Sequence, residues 1–482
     1  MLDLKPEEIP SDQELRSKVM NYLEKNSKFR QANKVLFAHP SPFYWREKDI
    51  DLNRFIEERE FLRTYKNVDK NTNLYVSIPF CLKTNPSKCG YCLFPSHDFT
   101  NYGEVEKYLM SLEKESIIYA DKFDNKCNLA SVYFGGGTPN ILKAKDYPKL
   151  IGIVKNIFSD FPEDIEMTLE GIPALFTEKK LKSIRDCGIK RISMGVQQLN
   201  DELIKYSGRK QTKRQVLDVI GWCEKIGLEL SVDLIYGWPE QNEESLLNDL
   251  KVIVDQGVKH ITHYELNIAG KYCPSYFAQN LKDKIPSIED TINLYHSSKN
   301  FLLSKGYKQL TSYDFMKDDG NDENFLFEKN VRNVLSYDNE RGFVGTDMLG
   351  LGFGALNCLT GTFEKPGTIY INHIDLEKYY SCIEKDNLPF MTGYLYEDKD
   401  LKLAVLFHMI QSLCIDVKIC EKLFNTNVVD DYSHIWKVLT EMGWIKIKDG
   451  NIHFINNGEF RTPLIQGLIA NERKKEIEVA IS

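Results

Sequence analysis

A chain of 482 residues, 42% hydrophobic and 27% charged, carries enough apolar material for a large soluble core. Its net charge of -8 speaks against a basic surface that holds nucleic acid or an anionic membrane. No run reaches the roughly 20 apolar residues of a membrane span, and no basic-then-apolar leader opens the chain, so a cytoplasmic protein is expected.

In chain order, residues 1–70 are charged and helix-prone, with an aromatic interruption at Phe43-Tyr44-Trp45, and read as an N-terminal helical extension. Residues 71–310 change rhythm. Strand-like runs at 74–79, 130–134, 165–170, 190–196, 228–235 and 259–266 alternate with amphipathic stretches at 102–122, 144–158, 177–187, 201–226 and 243–256. Alternating β and α units with right-handed crossovers predict an α/β fold, a partial (β/α)6 barrel around a parallel sheet. His260, His263 and Glu265 are placed on one face of the sixth strand. Residues 311–396 read as a barrel-closing and connecting region, with a loop at 317–323 and a glycine-rich return to close packing at 349–355. Residues 397–482 read as a small helical, winged-helix-like domain that ends in a hairpin about Asp449-Gly450.

Eleven cysteines are too thinly spread for a disulfide scaffold. Three of them, Cys81, Cys89 and Cys92, share one short loop after the first strand. Three thiolates can hold an iron–sulfur cluster and leave one iron open to a ligand. The other unusual residues fall at the ends of successive strands, where a parallel barrel gathers its active residues. Gly135-Gly136-Gly137-Thr138-Pro139 follows the second strand, Glu170 ends the third, Gln197 the fourth, and Asp233 lies in the fifth. Glycines let backbone groups approach a ligand closely. Glu170 and Asp233 can accept hydrogen bonds from ribose hydroxyls or an ammonium group, and Gln197 can donate and accept. Tyr75 and Tyr91 offer flat faces for a purine. A zinc site completed by His97, or a thioredoxin-type pair at Cys89 and Cys92, is also compatible with the loop alone.

Taken together, Tyr75–Cys81, Cys89-Gly90-Tyr91-Cys92, Gly135–Pro139, Arg191–Gln197, Ser207-Gly208-Arg209, Asp233–Gln241 and Gly350–Ala355 resemble the radical S-adenosylmethionine (SAM) superfamily. The branch they resemble is that of oxygen-independent coproporphyrinogen III oxidase, over roughly residues 72–382. The resemblance implies a [4Fe–4S] cluster on Cys81, Cys89 and Cys92, with SAM on the fourth iron as source of a 5′-deoxyadenosyl radical. It implies that Tyr75, Gly136, Gly137, Thr138 and Glu170 line that SAM. Tyr91, Gln197, Arg209 and Asp233 match positions tied to a second SAM molecule.

Two departures shape the functional expectation. Seven residues, Leu82–Lys88, separate the first two cysteines where the family has three, and Phe94 stands where the oxidases carry a further cysteine. The expected reaction is therefore C-methylation or cyclopropanation of a small molecule or peptide, with a second SAM as one-carbon donor. The alternatives are oxidative decarboxylation of coproporphyrinogen III and non-catalytic heme trafficking. A monomer reduced by a flavodoxin or ferredoxin is expected, with neither nucleic acid nor membrane as partner.

Overall fold

The computed structural model describes residues 11–28, 39–47, 57, 60–61, 64–66, 68–123, 128–267, 275–318, 326–331, 333–362 and 364–481. Much of the predicted extension, and most of the loop predicted at 317–323, lie outside these residues. Within the extension, helix α1 (Asp12–Ser27) starts at a reciprocal cap between Ser11 and Glu14. Of the aromatic trio, Trp45 is buried, with its indole N–H donating to Pro40 O at 3.0 Å, while Phe43 stays exposed. Trp45 packs with Ile369, Tyr396 and Ala404, which gives the trio a packing role.

The six predicted parallel strands form as β1 (Asp69–Ile78), β2 (Asn128–Gly136), β3 (Glu166–Gly171), β4 (Arg191–Gln197), β5 (Glu229–Tyr236) and β6 (His260–Glu265). Helices α2 (Tyr102–Phe123), α3 (Tyr147–Ile157), α4 (Glu178–Asp186), α5 (Lys213–Ile226) and α6 (Glu243–Asp255) connect them in turn. The long helix predicted at 201–226 is broken. Gly208 adopts a left-handed φ of 74°, and Thr212 starts a new helix by capping Gln215.

Seven further strands enlarge the sheet: β7 (Tyr307–Gln309), β8 (Asp314–Lys317), β9 (Ser336–Asp338), β10 (Gly342–Leu351), β11 (Leu356–Thr362), β12 (Lys365–Asn372) and β13 (Phe390–Leu395). The order is β13-β12-β11-β10-β1-β2-β3-β4-β5-β6-β8-β7, with β9 paired to β10. The partial barrel of six β/α units thus gains a seventh parallel strand, β10, which lies in the region read as barrel-closing and connecting but was not itself predicted as a strand. It pairs with β1 in register, Tyr75 opposite Gly350.

Period-two alternation divides each strand between two environments. Val76, Val132, Phe134, Leu169, Ile192, Met194, Val232 and Leu234 point to the helical layer and are nearly or fully buried. Each contributes about 1.5–3 kcal/mol of burial. On the concave face, Tyr75, Tyr133, Glu170, Gln197, Asp233 and Tyr264 keep partial exposure, so the upper half of the lumen is reachable by solvent. The same alternation corrects the reading of β6: residues three apart lie on opposite faces. His260 sits 3.4 Å from Asp314, whereas His263 packs its ring against Tyr236, 4.9 Å between centroids.

A second apolar cluster joins Val19 and Leu23 of α1 to Trp436, Leu439, Leu464 and Ile465 of the C-terminal helices. The terminal hairpin forms from Ile445–Lys448 and Asn451–Phe454. Asp449 and Gly450 both have positive φ (54° and 78°), as a type I′ turn requires.

The glycine-rich stretch after β10 is close packing of an exacting kind. A Cβ on Gly352 (φ 91°) would stand 2.3 Å from the Tyr108 hydroxyl and 2.8 Å from Ser77 O. Tyr108 itself donates to Ser77 O at 2.6 Å and accepts from Phe353 N at 3.0 Å. Gly352→Ala is therefore expected to cost about 2–3 kcal/mol through clash and left-handed strain combined. A denaturant titration that leaves the variant as stable as the parent contradicts this packing.

Candidate active site

Beyond β1 the chain crosses the rim as a two-residue strand, Phe80–Cys81, paired in parallel with His97–Asp98. Cys81, Cys89 and Cys92 are all half-buried there, and each thiol is pushed up by burial. Cys92 reaches about 12, and the neighbouring Cys89 and Cys81 thiolates add to its rise. Three thiols that sense one another's charge resist joint deprotonation unless cationic metal centres balance them. Among the described residues no group of His, Cys, Asp and Glu is arranged to hold a single metal ion. In a cluster each thiolate binds its own iron, so the donor set fits an iron–sulfur cluster. His97 does not join the trio. Its ring lies edge-on to Phe80, and its Nε2 is 3.9 Å from Glu104.

The glycine loop is fixed against the exit of β1. Gly137 N donates to Ile78 O at 2.8 Å, and a Cβ on Gly137 would lie 2.6 Å from Pro79 O. Gly135 makes room for the Tyr75 hydroxyl in the same way, at 2.7 Å. These two glycines thus serve close approach to β1 itself, and Gly136, with φ 112°, turns the chain. Thr138 ends the loop with its hydroxyl 3.7 Å from Cys81 Sγ.

Glu170 stands in the lumen next along the sheet. Burial first, and then the charge of Asp233, push its carboxyl up to about 8, against a Gly136 N–H bond and Arg209 that favour ionisation. Asp233 rises to about 7, chiefly by burial. Neither forms an ion pair among the described residues; a cationic ligand would favour the ionised form of both. SAM carries a sulfonium and an ammonium, so this lumen suits it.

Gln197 sits at a bulge between Gly195 and Gln197, with φ 67°, which re-aims the end of β4. Arg209 proves central. Its guanidinium donates to the Tyr91 hydroxyl at 2.9 Å and to Gly195 O at 2.7 Å, and its charge reaches Cys89 and Cys92. It ties the cysteine loop to β4. Tyr75 stacks on Tyr133, 5.9 Å between centroids, whereas Tyr91 packs on Trp238 and Phe277. The sequence reading missed Tyr133, although its parity on β2 matches that of Gly135. It also missed the base of the lumen, where Arg191 pairs with Glu328 and, at 3.2 Å, with Glu166.

A three-thiol loop, a glycine turn and paired carboxylates at one end of a parallel α/β barrel define the radical SAM class. Residues 75–253 match the Radical SAM superfamily. Within it the chain is similar to the branch of oxygen-independent coproporphyrinogen III oxidase. It is 25% identical over 418 residues to the oxygen-independent coproporphyrinogen III oxidase of Escherichia coli (strain K12), covering 85% of this chain and 86% of that protein. The solved structure of Escherichia coli coproporphyrinogen III oxidase (HemN) shares the fold, with a TM-score of 0.74, 22% identity, 91% of this chain and 99% of that chain. A shorter likeness, 30% identity over 247 residues, links it to the heme chaperone HemW of Buchnera aphidicola subsp. Schizaphis graminum. That match spans 50% of this chain and 62% of the relative. The match to the Radical SAM superfamily implies a [4Fe–4S] cluster and SAM. No helix among the described residues is long and apolar enough to cross a membrane.

Proposed function

We propose that this protein is a SAM-dependent oxidase acting on a porphyrinogen of the coproporphyrinogen III class. The observation that carries the reading is the length of the likeness: the relatives named as oxidases align over 85% of the chain, those named as heme chaperones over about half. The methylation or cyclopropanation expectation rested on Phe94, and the relatives named above do not support it.

Cys81, Cys89 and Cys92 would hold the cluster, and Glu170 and Asp233 would receive the cationic groups of SAM. When bound, cluster and SAM supply a 5′-deoxyadenosyl radical, the agent of hydrogen abstraction. Arg209 keeps Tyr91 and the end of β4 in fixed relation to the cysteine loop, and so orients whatever lies between them. The half-exposed lumen leaves room for substrate above the stacked Tyr75 and Tyr133. Each reacting propionate would lose one hydrogen atom, which ends in 5′-deoxyadenosine, together with CO2 and one electron that passes to a one-electron acceptor, and would become a vinyl group.

The test incubates anoxically reconstituted protein with coproporphyrinogen III, SAM, a low-potential reductant and an electron acceptor. Expected are 5′-deoxyadenosine, CO2 and a product lighter by the lost carboxyl groups. A product heavier by one carbon, or heme bound without SAM turnover, overturns the reading.

A further inference from the structure

Resting on the cluster assignment above, we infer that the seven-residue spacer is a built support for one cluster ligand, with Thr84 as the positioning residue of Cys89. The spacer, Leu82–Lys88, folds back on itself. The Thr84 hydroxyl donates to Pro86 O at 2.7 Å and accepts from Cys89 N at 3.0 Å, bridging the turn from inside. Around it, Gly90 N donates to Ser87 O at 3.0 Å and Cys92 N to Lys88 O at 3.1 Å.

This bracket holds an unfavourable backbone. Lys88, Cys89 and Gly90 are left-handed in succession, with φ of 52°, 55° and 73°. Two of the three carry a Cβ, and residues of that kind avoid this region unless their surroundings enforce it. Cys89 is a cluster ligand, so the direction of its Sγ is set by that strained φ, and the side chain that holds its N–H is Thr84.

The spacer is also seated on the rest of the site. A Cβ on Gly208 would stand 2.3 Å from Asn85 O, so the spacer lies directly on the turn that presents Arg209. Pro86 approaches Gly90 closely as well, 2.9 Å from where a Cβ would be. Phe277 closes the other side, its N–H donating to Gly90 O at 2.9 Å. A longer loop costs little in closure entropy, about 0.6 kcal/mol per doubling, and this one recovers order through its own bonds. The spacer thus acts as a strut between Cys89 and the Arg209 turn, and Thr84 is its inner pin.

Thr84→Val keeps the shape of the side chain and removes the hydroxyl, and Thr84→Ser restores it. On anoxically reconstituted full-length protein, iron loss to excess chelator is expected to be about fivefold faster in Thr84→Val, as befits one hydrogen bond. The electron paramagnetic resonance spectrum of its reduced cluster should differ from that of the parent, and Thr84→Ser should match the parent in both. Identical iron loss and spectra in Thr84→Val and parent overturn the inference. A lowered melting temperature of cluster-free Thr84→Val also overturns it, because Thr84 then serves folding in general. A parent chain that holds no cluster after reconstitution removes the functional reading, and this inference with it.

Discussion

Alanine at Cys81, Cys89 or Cys92 should each abolish 5′-deoxyadenosine formation, a fall of roughly three orders of magnitude or more, since no other chemistry at the site supplies the radical. In the proposed cluster each thiolate would hold a separate iron, so none could cover for another. Among the remaining described cysteines, Cys223 and Cys420 are buried in the apolar layers and Cys382 lies on a helix of the connecting region. Cys382→Ala should keep full iron content and turnover, which controls for nonspecific thiol effects. Iron and acid-labile sulfide, measured beside 5′-deoxyadenosine, check the result. Turnover retained in all three variants removes the cluster assignment.

Glu170→Gln should move stability and ligand binding in opposite directions. The folded-state carboxyl titrates near 8 against an ordinary 4.5, raised by burial and by Asp233. Between those values the folded chain keeps a proton that the unfolded chain releases. Stability from this group is thus full below about 4.5 and is lost as pH rises through 8. Glutamine carries no charge, so ligand-free Glu170→Gln should be more stable than the parent at pH 8.5, by about 2–4 kcal/mol, with little difference at pH 4.5. Asp233, near 7, shifts in the same sense, chiefly by burial. SAM affinity should fall about 10- to 100-fold, because a charge-assisted contact is lost. Melting curves across pH and equilibrium dialysis with SAM decide the matter. A variant that is less stable at pH 8.5 and binds SAM normally refutes the placement of Glu170 as cation acceptor.

How far the sequence could be read depended on whether local pattern carried the information. The six β/α units were legible because short β-branched runs alternate regularly with amphipathic helices. β10 was not. Gly345 and Gly350 interrupt its apolar run, and both are required by close approach, 2.4 Å from Val334 O and Leu356 O to a would-be Cβ. A strand that needs glycine for packing looks like a loop. Arg209 was legible only through the family resemblance, because the turn at Gly208 that presents it packs against Asn85, far away in sequence. The pairing of Arg191 with Glu328 spans 137 positions and leaves no local trace. The cysteine trio, the glycine turn and the order of the strand-end residues were legible, since chemistry placed at strand ends repeats the spacing of the strands.

β1 is the first strand of the sheet along the chain, yet its partners arrive late. On one side stands β2, and on the other β10, whose residues Gly342–Leu351 are made some 270 positions afterwards. A nascent polypeptide shorter than that leaves one flank of β1 unsatisfied, an open hydrogen-bonding edge inviting mispairing. Iron delivered during synthesis would meet a half-framed cradle. Metal insertion accordingly belongs after the ribosome has let go of most of the molecule, and truncations ahead of Gly342 should accumulate as aggregate.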